Sequence, residues 1–192
     1  MKTAFLRSAP WLLAAALTAC ASGGGDKRPA GGGLEVARFH PGQPVARAQI
    51  AIEPFDKADA NRPEFPAYAA AVGRQLSRLG WQVVPTTTGS EQIALIDLEQ
   101  GSREAVAALS AARIGRGVSA TVPAGTSAGV TATLLEVAIR RRSDGTVFWE
   151  GRAVGEALTG SSDAARTAAV ERLAEALFRD FPGESGRTIR VE

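Results

Sequence analysis

Several places in the chain carry residue types at spacings that could do chemistry. Gly125-Thr126-Ser127-Ala128-Gly129 follows G-x-S-x-G, the pattern that sets a nucleophilic serine on a tight turn between a strand and a helix. Such a serine also needs a base, ordinarily an imidazole later in the chain. The chain has one histidine, His40, and it lies upstream of Ser127. A loop is expected before the pattern and a strand after it, so a small-residue loop is the plainer reading. Gly115-Arg116-Gly117-Val118-Ser119-Ala120 fits a relaxed dinucleotide fingerprint, but Val122-Pro123 breaks the helix whose N-terminus would receive phosphate. Asp97 and Glu99 stand two apart on an expected strand and so share one face. They could hold a cation or work as an acid/base pair; a solvated sheet face is the simpler expectation. His40 beside Pro41 reads as a polar strand-end residue without companions for a metal. Arg140, Arg141 and Arg142 alternate across a strand and cannot form one patch, and Trp149 is expected in the core. No catalytic residues, metal site or cofactor are therefore assigned. The expected protein is not an enzyme, with a hydrolase using Ser127 or the Asp97/Glu99 pair as the alternative.

The one position with a specific chemical future is Cys20. Residues 1–19 begin with Lys2 and Arg7 and continue through an apolar or small run from about Ser8 to Ala19. As a helix, that run is only about 18 Å long, short of the ~30 Å hydrocarbon core, and suits a signal segment better than a span. Leu17-Thr18-Ala19-Cys20 resembles the lipobox of bacterial lipoproteins. The resemblance implies cleavage between Ala19 and Cys20, a diacylglyceryl thioether on Cys20 and acylation of the new amine. Each buried methylene contributes about 0.8 kcal/mol, so two or three chains make a lasting anchor. Cys20 is the only cysteine, so no internal disulfide can form. Ala21 follows it rather than the Asp that commonly marks inner-membrane retention in enteric bacteria, which leans toward the outer membrane. Residues 20–33 are then the lipidated Cys and a Gly-rich tether, ASGGGDKRPAGGG, with an end-to-end distance of roughly 20 Å.

Composition limits the partners. The 192 residues carry 22 bases and 20 acids, and 45% are hydrophobic. Loss of Lys2 and Arg7 with the signal segment leaves the mature chain formally neutral, which argues against nucleic acid as a partner. Membrane attachment through Cys20 and an envelope protein partner are the expected associations.

Residues 34–192 are expected to form a single α+β domain: a largely antiparallel sheet of about six strands with two helices on one face. Strands are read at 34–40, 45–55, 81–85 and 92–100, and helices at 63–80 and 163–181. Within 63–80, Phe65, Tyr68, Ala69, Val72, Leu76 and Leu79 share one face. In 92–100, Ala94, Ile96 and Leu98 are the buried side. A short helix is possible over 102–113, a Gly/Ser/Thr-rich loop follows at about 113–129, and residues 188–192 can add an edge strand. The clearest feature is the hairpin 130–158. A two-residue turn would set Ile139 against Glu150. A three-residue loop of Ser143, Asp144 and Gly145 instead pairs Ile139 with Trp149, Leu135 with Ala153 and Glu136 with Arg152, with Gly145 left-handed beside a bulge.

These C-terminal residues resemble a known family. Leu135-Glu136-Val137, Ser143-Asp144-Gly145, then Val147-Phe148-Trp149-Glu150-Gly151-Arg152-Ala153, and Phe178-Arg179-Asp180-Phe181-Pro182 together resemble domain-of-unknown-function family 4136. The likeness is good over residues 130–185, weaker over 45–100 and poor over the loop. It implies an envelope lipoprotein of Gram-negative bacteria with an α+β fold and carries no activity or catalytic residues. Asp144, Gly145, Trp149, Gly151, Arg152, Phe181 and Pro182 are accordingly read as structural motif positions. A concave pocket lined by Trp149, Arg152 and Asp97 is where a ligand would be sought. The expected role is a periplasm-facing, membrane-anchored binding or assembly module.

Overall fold

The computed structural model describes residues 33–112 and 129–192. The elements run β1 (Leu34–Phe39), β2 (Gln49–Pro54), α1 (Phe65–Arg78), β3 (Gln82–Val84), β4 (Gln92–Gly101), α2 (Arg103–Ala112), β5 (Val130–Arg141), β6 (Val147–Leu158), α3 (Asp163–Phe178) and β7 (Thr188–Val191). The strands form one seven-stranded sheet in the order β3-β2-β4-β5-β6-β1-β7.

The sheet is mixed, which corrects the largely antiparallel, six-stranded expectation. β2 pairs in parallel with both β3 and β4, while β4-β5, β5-β6, β6-β1 and β1-β7 are antiparallel. The physical reason is α1. A helix between two strands returns the chain to the starting end of the sheet, so β2-α1-β3 is a parallel crossover unit. β1 and β2, although near in sequence, are separated by three strands, because β1 lies against the far side of β6.

α1 and α3 cover one face. The apolar side of α1 is the one its spacing predicts: Tyr68, Val72 and Leu76 are buried, with Phe65, Ala69 and Leu79 packed at the margin. They meet Ala94, Ile96 and Leu98 of β4 and Leu135, Val137 and Ile139 of β5. The third helix, α2, sets Val106 and Leu109 on Ala132 and Leu134, which project from β5 on the opposite face. α3 is capped by Ser162, whose hydroxyl accepts from Ala165 N–H. It stops at Phe178 rather than 181, because Asp180 is left-handed at φ 55° and Pro182 biases Phe181 away from helix.

The hairpin keeps the expected apolar register: Ile139 faces Trp149, Leu135 faces Ala153 and Glu136 faces Arg152. The turn itself corrects the expected three-residue loop of Ser143, Asp144 and Gly145, being one residue longer. A register shift follows Ile139, so Arg140 faces Val147, and Arg141 N–H donates to Thr146 O at 2.9 Å. Four residues, Arg142 to Gly145, close the loop, with Gly145 at φ 71°. Asp144 holds it by accepting from Thr146 N–H at 2.9 Å and Arg141 Nη1 at 2.8 Å.

Gly151 is the position where glycine is obligatory. A Cβ there would lie 2.7 Å from Trp149 Cζ2 and 2.8 Å from Leu177 Cδ1, because the indole folds over the backbone two residues on. Gly151→Ala should therefore destabilise the domain by about 2–3 kcal/mol through overpacking, read as a lowered urea midpoint at unchanged slope.

The Asp144 carboxyl is drawn from 3.8 to about 2, first by the Thr146 backbone N–H and then by Thr146 and Arg141 side-chain donors. Because the folded value is the lower one, its contribution is present above pH 4 and is lost as pH falls through about 2. A carboxyl NMR titration of Asp144 should show its midpoint near 2, with the Thr146 amide resonance moving in step.

Candidate functional site

The two faces of β6 carry different chemistry. On the helix side, Trp149 is fully buried and Gly151 and Gly155 leave room beside it for Leu177 and Leu173. The Trp149 ring stacks on Phe178 at 5.2 Å between centroids and meets Phe181 at 5.2 Å. Its Nε1 donates to Pro182 O at 2.9 Å, which satisfies its one polar atom. Phe181 in turn receives the edge of Trp81 at 5.4 Å. The motif positions Trp149, Gly151, Phe181 and Pro182 thus form one structural junction.

Arg38 of β1 closes the same junction from beside it. Its Nε and Nη2 donate to Leu177 O and Ala176 O at 2.9 and 2.8 Å, supplying donors to carbonyls of the last turn of α3. Burial lowers the pKa of this guanidinium below its ordinary value, with the Asp180 carboxylate working in the opposite direction.

On the other side of β6, Arg152 stands in a row with Glu136 and Asp97 of the neighbouring strands. Its side chain is 4% exposed. Nε donates to Glu136 Oε2 at 3.1 Å, Nη2 pairs with Glu150, and the guanidinium lies 5.5 Å from the Phe39 ring centroid. Asp97 and Glu99 do share this face as their spacing requires, and neither is free of partners. The cluster is a charged staple across β4, β5, β6 and β1. Charged residues so placed fix register, because a one-residue slip would carry Arg152 into the Trp149 side.

That geometry corrects the search for a pocket lined by Trp149, Arg152 and Asp97. Residues 149 and 152 project from opposite faces of β6, since alternation reverses the side chain at each step. No single cavity can be walled by both. The separation was available from parity; the Glu150 partner was available too, because it stands two residues from Arg152 on the same face.

His40 is committed to structure. Gly42 N–H donates to Nδ1 at 3.2 Å, so Nε2 carries the proton and donates to Gly183 O at 2.9 Å. Ser185 Oγ bridges the His40 backbone, accepting from its N–H and donating to its O. Nothing local predicts this partner, which is distant in sequence. The three arginines at the hairpin end are dispersed as alternation requires. Arg141 pairs with Asp144, Arg142 pairs with Glu53 at 2.6 Å, and Arg140 lies over Phe55 at 5.5 Å.

Cys20, Ala19 and the tether up to residue 32, together with Ser127 and residues 115–120, lie outside the described residues. Among the described residues no group of three or more His, Cys, Asp or Glu could hold a metal ion. No described helix is long and apolar enough to cross a membrane.

With this geometry in hand, likenesses to known proteins can be placed. No family model matches the chain, and the likeness of its C-terminal third to domain-of-unknown-function family 4136 stands as a resemblance of residues. An uncharacterised protein of Zymomonas mobilis is 26% identical over 212 residues, spanning 83% of this chain and 80% of that one. A PDZ domain protein from Parabacteroides distasonis superposes with a TM-score of 0.50 at 12% identity, over 83% of this chain and 39% of its own. PelC, a dodecamer from Paraburkholderia phytofirmans, gives 0.47 at 12% identity over 74% of this chain and 94% of its own. A candidate lipoprotein from Caulobacter crescentus gives 0.32 at 17% identity over 67% and 80%. The Parabacteroides likeness is one of fold alone. The fold is mixed α/β.

Replacing Arg152 by Met should expose what the staple contributes. Glu136 and Glu150 would then face each other without their common cation. Both are partly solvated, at 16% and 23% exposed, so the cost should be about 2 kcal/mol rather than the 3–5 of a fully buried pair. Urea unfolding at neutral pH measures it.

Proposed function

We propose that the protein is a lipid-anchored module of the bacterial cell envelope that faces the periplasm and works by binding or assembly rather than by catalysis. The observation that carries this reading is Leu17-Thr18-Ala19-Cys20, followed by a Gly-rich stretch that leads directly into β1. An apolar run too short to span, a lipobox-like tetrapeptide and a glycine tether have a common physical purpose. They export a domain, attach it to a bilayer and leave it free to turn.

Two features of the domain support the non-catalytic half of the reading. The single imidazole already spends both nitrogens on Gly42 and Gly183, so it is not poised to serve Ser127 as a base. Asp97 and Glu99 share their face with a carboxylate-neutralising arginine and are already engaged. The placement in the outer membrane follows from Ala21 at the position after the anchor, and it is part of the proposal.

Cys20→Ser provides the test. The unaltered chain should incorporate radiolabelled palmitate, lose residues 1–19 and sediment with membranes. The variant should incorporate no label, keep its leader and leave the outer-membrane fraction. Retained membrane fractionation and unchanged maturation in the variant would remove the anchor from the account.

A further inference from the structure

A cleft of about 230 Å³ runs between the outer side of α3 and the β1-β7 edge of the sheet. Leu34, Ala176 and Val191 form its apolar floor, and Arg172, Glu175 and Arg179 flank it from α3. A spacing of three residues puts Arg172 and Glu175 on one face of α3, and Arg179 follows at its C-cap, so the two arginines are about 10.5 Å apart along the axis. Glu192, at the end of the chain as given, adds a carboxylate at the rim, and Gly33 lies at its mouth. The wall is therefore of mixed sign: guanidiniums and carboxylates stand over a greasy floor.

Its position in the molecule points to an occupant. Gly33 is the residue at which the described domain meets the stretch running back to Cys20. Twelve residues, 21–32, separate them, and a Gly-rich coil of that length would span roughly 20 Å. β1 begins beside the open end of the β5-β6 hairpin, where Leu158 is 55% exposed. The closed end of that hairpin lies beyond Val147, eight residues back along β6 from Gly155, about 26 Å away at 3.3 Å per residue. An anchor at Cys20 thus puts the cleft, rather than the hairpin tip, at the end of the domain nearer the lipid headgroups.

We propose that this cleft docks on the anchoring bilayer and takes a zwitterionic phosphoethanolamine headgroup. Arg172 and Arg179 would meet the phosphate through charge-assisted hydrogen bonds, while Glu175 and Glu192 would receive the ammonium. A mixed wall suits a ligand carrying both charges, whereas a purely anionic lipid would meet the carboxylates. The proposal rests on the lipoprotein reading above and adds an orientation and a ligand class to it.

The test uses the mature acylated protein on phosphatidylethanolamine-rich vesicles whose acyl chains carry a nitroxide quencher. Cys20 is the chain's sole cysteine and is blocked by acylation, so Leu158→Cys or Ser143→Cys introduces a unique labelling site. The fluorophore at 158 should be quenched at least threefold more than that at 143. Arg172→Ala with Arg179→Ala should bring the ratio toward one while the protein stays vesicle-bound. Excess soluble phosphorylethanolamine should do the same to the unaltered chain. Equal quenching at the two sites, or a ratio indifferent to both interventions, overturns the proposal. A protein that never partitions to vesicles overturns the anchor reading instead.

Discussion

Much of the domain depends on the indole of Trp149 lying across a residue that has no side chain. With Gly151 beneath it, the ring can sit flat enough on β6 to stack on Phe178 and touch Phe181, while its N–H finds Pro182 O. Truncating such a buried aromatic typically costs about 3–5 kcal/mol. Its more specific consequence is geometric. The end of α3 and the turn after it are held to the middle of the sheet, and Arg38 can reach the last helical carbonyls from β1. β7 then follows as an edge strand beside β1, and the chain's two described ends meet at Leu34 and Val191.

The W-x-G-R stretch is best understood as two interleaved devices on one strand. Residues 149, 151, 153 and 155 serve packing against α3, and the alternation between full and absent side chains makes that packing close. Residues 150 and 152 serve the opposite face, where a nearly dry arginine is balanced by Glu136 and Glu150. Apolar residues in those places could match the ion cluster in stability. Its distinctive effect is on pairing, since a one-residue slip of β5 against β6 would bury charge against the aromatic junction. Charge on one face and tight packing on the other therefore enforce the same register.

The mixed sheet gives the molecule two dissimilar halves. The β3-β2-β4 side is a parallel crossover built around α1, tied internally by the Trp81–Gln92 hydrogen bond at 2.8 Å and joined to the rest through the β4-β5 ladder and the Trp81–Phe181 ring contact. The β5-β6-β1-β7 side is antiparallel, with α3 lying over it. Between the outer flank of α3 and the last two strands the cover is incomplete, and the mixed-charge cleft lies there. The exposed end of the hairpin, by contrast, has its arginines distributed among Asp144, Glu53 and Phe55, so it is not a basic patch.

What the chain determined by itself was local and periodic. The helix faces of 65–78 and 163–178, the buried side of 92–101 and the pairing of Ile139 with Trp149 all follow from 3.6- and two-residue repeats. The export and lipidation signal is likewise a short linear pattern that needs no fold to be read. The tertiary structure decided whatever depended on distant partners. Parallel or antiparallel pairing was settled by which side of the sheet α1 returned to, and the place of β1 by the far edge of β6. The commitment of His40 required Gly183, and the packing of Trp149 against Phe178 and Phe181 required α3 and the turn after it to lie over β6. Periodicity tells which side of an element is buried; only the assembled layers tell what is buried against it.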